Sequence, residues 1–163
     1  MNFYYPSIPE SFGAIVEHLK ETPSRLHELV SNLPAEVLVH KPNDKWSIQE
    51  HIGHLLCIES LWIARLDDLV LGHESVRPWN GTNADTDAAR FNEQNIISIL
   101  RDFRNIREMH TTMLSEMEEK AEILVANHPG NNKKLRLVDH VWMMLNHDQH
   151  HLEILQRRKA DYR

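Results

Sequence analysis

The chain has 163 residues, 41% hydrophobic and 26% charged, with a formal net charge of −6 at pH 7, 12 histidines and one cysteine. This is the size and mixture of a single globular domain over 1–163, able to bury a core without disulfides or a structural metal, so a bound metal would serve function. Scattered Lys and Arg exclude the basic surface that phosphate backbones demand, and no apolar run approaches the ~20 residues of a bilayer span, so neither nucleic acid nor membrane is an expected partner.

Five glycines and seven prolines leave room for long uninterrupted helices. The opening Met-Asn-Phe-Tyr-Tyr-Pro lacks the basic segment and apolar core of a secretory leader, and together with the lone Cys57 it predicts a cytoplasmic protein. The first helical pattern covers Pro9 to Asn32, with Phe12, Ile15, Val16, Leu19, Leu26, Leu29 and Val30 as its apolar stripe. Pro23 is expected to break or restart it, because proline suits a first turn and disrupts an interior. After a link from Leu33 to Trp46, Ser47-Ile-Gln-Glu50 matches a capping box. A second helix is predicted from Ser47 to Leu71, its wide apolar face including Ile48, Ile52, Leu55, Ile58, Leu61, Trp62, Leu66 and Leu69.

Gly72 to Arg90 follows, without an apolar pattern. Its ~19 residues, at up to ~3.3 Å each, can retrace a helix of ~37 Å, so a crossover between parallel helices is permitted. The third helix is predicted from Phe91 to Glu119, with Ile96, Ile97, Ile99, Leu100, Phe103, Ile106, Met113 and Leu114 buried, and the fourth from Leu135 to Lys159. The Arg157-Arg158-Lys159 cluster closes that last helix, where cations complement its dipole. Only Glu122 to Ala126 suggests a short extended piece, and the chain reads as all-α, a four-helix bundle.

Two histidines of the last helix, His147 and His151, are four apart and share a face, so both imidazoles could reach one cation. With Asp148 between them they approximate the metalloprotease pattern His-Glu-x-x-His, but none of the 12 residues after His151 is a histidine. A third ligand must therefore come from an earlier helix. His54 is the best placed, with His51 one turn earlier as its rival. If the second and fourth helices run antiparallel, His54 lies about 10 Å and His151 about 12 Å from the same bundle end, at 1.5 Å per residue. Three neutral imidazoles would leave positions open for water or a substrate atom.

Each of these residues also has a plainer role available. A chain rich in histidine places two of them four apart by chance, and His54 alone on an apolar face could be a hydrogen-bonded core residue. His140, seven before His147, suits a supporting or core position, and His150 points about 100° away toward solvent. Glu50 is accounted for by its cap, Trp46 and Trp142 by packing, and Cys57 by burial as a small apolar group. Where a metal is bound, Glu50, Asp148 and His140 are the candidates to orient its ligands or move protons.

Taken in order, these residues resemble the DinB/YfiT family of metal-dependent enzymes. Trp46-Ser-Ile-Gln-Glu-His-Ile-Gly-His54-Leu is similar to the family's tryptophan-serine start of its second helix, with a ligand histidine eight residues after the tryptophan. Asp139-His-Val-Trp-Met-Met-Leu-Asn-His147-Asp-Gln-His-His151-Leu is similar to its final helix, and the resemblance runs from Ser11 to Lys159. It implies a bundle with up-down-down-up order, a divalent ion such as zinc or nickel on His54, His147 and His151, and frequent homodimers. It also implies a small-molecule substrate, attacked by water as in a hydrolase or by a low-molecular-weight thiol as in a thiol transferase. A non-catalytic metal-binding or stress-response protein, and a bundle whose histidines hold no metal, are the competing expectations.

Overall fold

The computed structural model describes residues 2–131 and 133–162. Four long helices build the bundle: α1 (Phe12–Val30), α3 (Ile48–Val70), α5 (Ile96–Ser115) and α6 (Leu137–Tyr162). Short helices α2 (Ala35–Val39) and α4 (Ala84–Ala88) lie in the first two connections, and strands β1 (Val125–Asn127) and β2 (Lys134–Arg136) form an antiparallel hairpin before α6. The expected extended piece is thus shifted to 125–127 and gains a partner from the start of the expected fourth helix. Among the described residues no helix is long and apolar enough to cross a membrane.

Local chemistry sets the helix starts. Ser11 Oγ accepts from Ala14 N, and Asn95 Oδ1 accepts from Ile97 N, so α5 begins five residues later than the sequence suggests. Both halves of the Ser47/Glu50 capping box form, with Glu50 N donating to Ser47 Oγ at 3.0 Å and Ser47 N donating to Glu50 Oε2 at 2.8 Å. Such caps stabilise a helix by about 0.5–2 kcal/mol.

Contrary to expectation, α1 continues through Pro23. Proline deprives the carbonyl four residues back of its donor. Here Leu19 O instead accepts from Arg107 Nη1 at 3.3 Å, which accommodates the proline inside the helix. Ile97, expected in the core, is 63% exposed because α5 turns it outward.

Side-chain pairings give the helix directions. Gln49 Nε2 donates to the carbonyls of Phe91 and Gln94 at one end, and Glu59 pairs with Arg107 further along, so α3 and α5 run parallel. His54 meets His147 and Trp62 meets His140, so α6 runs antiparallel to α3. Thr22 bonds Asp148 and Arg25 bonds Gln149, while Phe12 and Val138 line one groove at the hairpin end, so α1 and α6 run parallel.

The core has two apolar halves. Phe12, Ile15, Leu19, Trp62, Leu66, Leu114 and Val141 fill the hairpin end, and Leu26, Ile52, Leu55, Phe91, Phe103 and Leu152 fill the other. Between them, at the waist, lies a buried polar layer. Arg107 donates to Glu59 and to Asp148, Thr22 Oγ1 donates to Asp148 Oδ2 at 2.9 Å, and His110 Nδ1 lies 3.0 Å from Glu59 Oε2. Arg107, Glu59, His110 and Asp148 are fully buried. Burial alone would raise the Glu59 carboxyl, but Arg107 and His110 hold it below the usual carboxylate range.

Candidate metal centre

His54 is carried two turns into α3, where Gly53 allows the crossover to lie close: a Cβ at Gly53 would fall 2.2 Å from the Phe91 ring. His147 and His151 come from consecutive turns of α6. One nitrogen from each of His54, His147 and His151 lies within 4.8 Å of the others. His54 Nε2 and His147 Nε2 are 3.2 Å apart. Two nitrogens each ~2.0–2.1 Å from one tetrahedral ion stand about 3.3 Å apart, so this pair already has the spacing of two ligands on one metal.

The other nitrogens of two of these rings are occupied. His54 Nδ1 lies 3.0 Å from Thr86 Oγ1, and His151 Nδ1 lies 2.9 Å from His51 Nδ1. Hydrogen bonds of that kind fix the orientation and tautomer of ligating imidazoles. Trp46 lies against the His54 ring at 4.8 Å and edge-on to His51, its indole N–H donates to Asp87 Oδ1, and its carbonyl accepts from Arg158. The tryptophan thereby joins the start of α3, the crossover helix α4 and the end of α6 around the cluster.

Burial, and then neighbouring His147, push His54 down to about 4. Burial likewise lowers His147 to about 4 and His51 to about 4, and His151 further still. All four rings are neutral at pH 7, the state in which imidazole donates a lone pair to a metal. The donor set is all-nitrogen, which suits zinc, nickel, copper or iron better than the oxygen-seeking magnesium and calcium. The residues present therefore fit a divalent transition-metal ion.

The three candidates for orientation or proton transfer lie elsewhere. Glu50 has one carboxylate oxygen in the cap and the other on Lys41 Nζ at 2.9 Å. Asp148 turns away from His147 and His151 into the polar waist. His140 is fully buried beside Trp62, and burial lowers it to about 3. Neither of its ring nitrogens has a hydrogen-bond partner among the described residues. Cys57 is half-buried with its thiol pushed up by burial, and lines a neighbouring hollow rather than the cluster. His150 is exposed, as expected, but it lines the cleft beside the cluster, with its ring edge-on to His151 at 5.4 Å.

The cluster forms part of the wall of a cleft of about 750 Å³, along with Trp62, Trp79, Leu61 and Met143. This is the size and apolar character of a small-molecule site. Thr86 and the cleft residue Arg65 carry no sequence signal, since each becomes informative only once the crossover packs over α3.

Comparison with known proteins agrees with this geometry. The model of the DinB superfamily matches residues 18–155. Among solved structures, the chain is similar to YfiT from Bacillus subtilis, described as a probable metal-dependent hydrolase with an unusual four-helix bundle topology. The two share 15% identity with a TM-score of 0.77, over 98% of this chain and 94% of that one. No curated protein sequence matches the chain.

Proposed function

The chain belongs to the DinB superfamily, and on that premise we propose that it is a metal-dependent enzyme acting on an electrophilic small molecule in the cleft between α3 and α6. His54, His147 and His151 would hold a divalent ion, zinc or nickel. The observation that carries this reading is the convergence of three neutral imidazoles, with His54 and His151 held from behind by Thr86 and His51, on the wall of an apolar cleft. When bound, such an ion lowers the pKa of a water or thiol toward neutrality and polarises a carbonyl.

The protein's own residues supply the rest. Trp46 shields the outer face of His54 from solvent, and the apolar walls keep competing water from the reacting group. Asp148 acts as a positioning residue, fixing the turn of α6 that carries both histidines. The hydrolytic reading is favoured by the likeness to YfiT. A thiol nucleophile is the second reading, favoured by a cleft far larger than one water requires.

Elemental analysis of protein purified without a histidine tag is the direct test. About one metal per chain is expected, falling below about 0.1 in His147→Ala. Loaded protein should then hydrolyse aryl esters or amides, or join a small thiol to an epoxide or aryl chloride, above the level of His54→Ala. Wild-type protein that takes up no metal after reloading would sink the proposal.

A further inference from the structure

Arg65 is a buried cation without a counter-ion. It sits on α3 eleven residues beyond His54 and is only 4% exposed. Its Nε donates to the Arg77 carbonyl at 2.9 Å, and its Nη1 approaches the Met143 sulfur at 3.9 Å. Nη2 has no hydrogen bond, and no carboxylate lies within ion-pair distance of the guanidinium, among the described residues. Tyr4 and then Asp68 are the groups that favour its cation, but Tyr4 makes no hydrogen bond to it among the described residues and both Asp68 oxygens are taken by Arg77 and His73. A buried guanidinium normally has a carboxylate or phosphate partner, because desolvating it otherwise costs several kcal/mol.

The direction in which the charge is available is set by the cleft. Arg65 lines it together with His128 and the three histidines. The His147 ring and the Arg65 guanidinium carbon each lie 5.8 Å from the Trp62 ring, so a molecule spanning that indole would touch both. Burial and the charge of Arg65 lower His128, which leaves one net positive group at this end of the cleft. A single guanidinium balances a monoanion and would leave a phosphate dianion half-compensated.

We infer that Arg65 is the specificity-determining anchor of the cleft, and that the molecule bound there is an amphipathic monocarboxylate. Its carboxylate pairs with Arg65, its apolar body lies along Trp62 and Met143, and its far end reaches the histidine cluster. The inference rests on the cleft being the reaction site, but its test does not require turnover.

The test is calorimetric titration of the full-length protein with 4-phenylbutyrate and with its neutral amide, using wild type, Arg65→Gln, Arg65→Lys and His54→Ala. The carboxylate should lose far less affinity in His54→Ala, which changes only where its far end rests, than in Arg65→Gln. It should bind Arg65→Gln at least about ten-fold more weakly, with partial recovery in Arg65→Lys, as expected for losing a charge-assisted hydrogen bond. The amide should bind wild type at least about ten-fold more weakly than the acid, a comparison that needs no variant to fold. No carboxylate binding at millimolar concentration, equal binding of acid and amide, or binding lost in His54→Ala but kept in Arg65→Gln would each overturn the inference. Carboxylate binding through Arg65 in a protein that takes up no metal would leave the inference standing and remove the metal reading.

Discussion

Replacing Arg107 by methionine isolates what the polar waist contributes. The guanidinium is fully buried and donates to three acceptors at once: the carboxylates of Glu59 and Asp148 and the Leu19 carbonyl orphaned by Pro23. Arg107→Met keeps much of the side-chain bulk and deletes every donor. Breaking a buried ion pair from one side costs about 3–5 kcal/mol, and an unpaired buried carbonyl about 1–3 kcal/mol. Because the two losses share one residue and the site can relax, a total near 4–6 kcal/mol is expected, a large fraction of the ~5–15 kcal/mol of a typical domain. The pH dependence is diagnostic. In the wild type the Glu59 carboxyl is held low, so its contribution is present above the unfolded carboxylate range and lost as pH falls. Burial already raises Asp148 in the wild type, and without Arg107 it raises Asp148 further and lifts Glu59 above its unfolded value as well. Their penalty is then small in acid and grows as pH rises through the new pKa values. Urea denaturation followed by tryptophan fluorescence at pH 5 and pH 8 should show the larger deficit at pH 8. A loss below about 1 kcal/mol, or an equal loss at both pH values, would refute the assignment of this layer as a charged network.

Other perturbations address the site more directly. Burial depresses His54 and His147 to about 4 from an unfolded value near 6.5, so the stability of keeping them neutral is full above about 6.5 and is lost as pH falls toward 4. In the folded protein these rings take up protons only as pH approaches about 4, so metal retention against a competing chelator should hold to about pH 5 and fall below it, and loss of metal with a midpoint near 6.5 would contradict the burial of the site. Thr86→Val removes the hydroxyl on His54 Nδ1 and should weaken metal affinity about 10–100-fold, with thermal stability shifted far less. Gly53→Ala drives a methyl into the Phe91 ring and should cost about 1–3 kcal/mol in denaturant unfolding, with part recovered when Phe91 is also made leucine.

What the sequence made legible was local or periodic. The capping box at Ser47 fixed the start of α3, and the four-residue spacing of His147 and His151, together with the depth of His54, pointed to the convergence found. The continuity of α1 was hidden, because the residue that satisfies Leu19 O is Arg107, 88 positions away. The β-hairpin was hidden for a similar reason: two three-residue strands have no periodicity of their own and exist because they pair. Asp148, read as a neighbour of the ligands, belongs to a network whose other members lie on α1, α3 and α5. Arg65 and Thr86 look like ordinary surface residues in a linear reading, and only the crossover buries them.

The polar waist and the histidine cluster are coupled through the rotation of α6. Asp148 lies one residue after His147 and three before His151, about 100° and 60° around the helix from them, so pinning Asp148 to Arg107 and Thr22 sets where both imidazoles point. An apolar waist would hold the helices together equally well, since well-packed hydrophobic replacements of buried ion pairs are often neutral or stabilising by 1–4 kcal/mol. It would not define the helix's rotation as sharply, because apolar contacts tolerate small turns that a bidentate guanidinium does not. The triple variant Glu59→Leu, Arg107→Met, Asp148→Leu separates the two roles. If the network serves stability, the variant should unfold at markedly lower urea concentration. If it serves registration, urea stability should fall by no more than about 1–3 kcal/mol, the cost of the uncovered Leu19 carbonyl, while zinc affinity falls at least about ten-fold, because the Nε2–Nε2 spacing of His54 and His147 is no longer enforced. We expect the second pattern, and a triple variant that keeps full metal affinity would show that packing alone sets the histidine geometry.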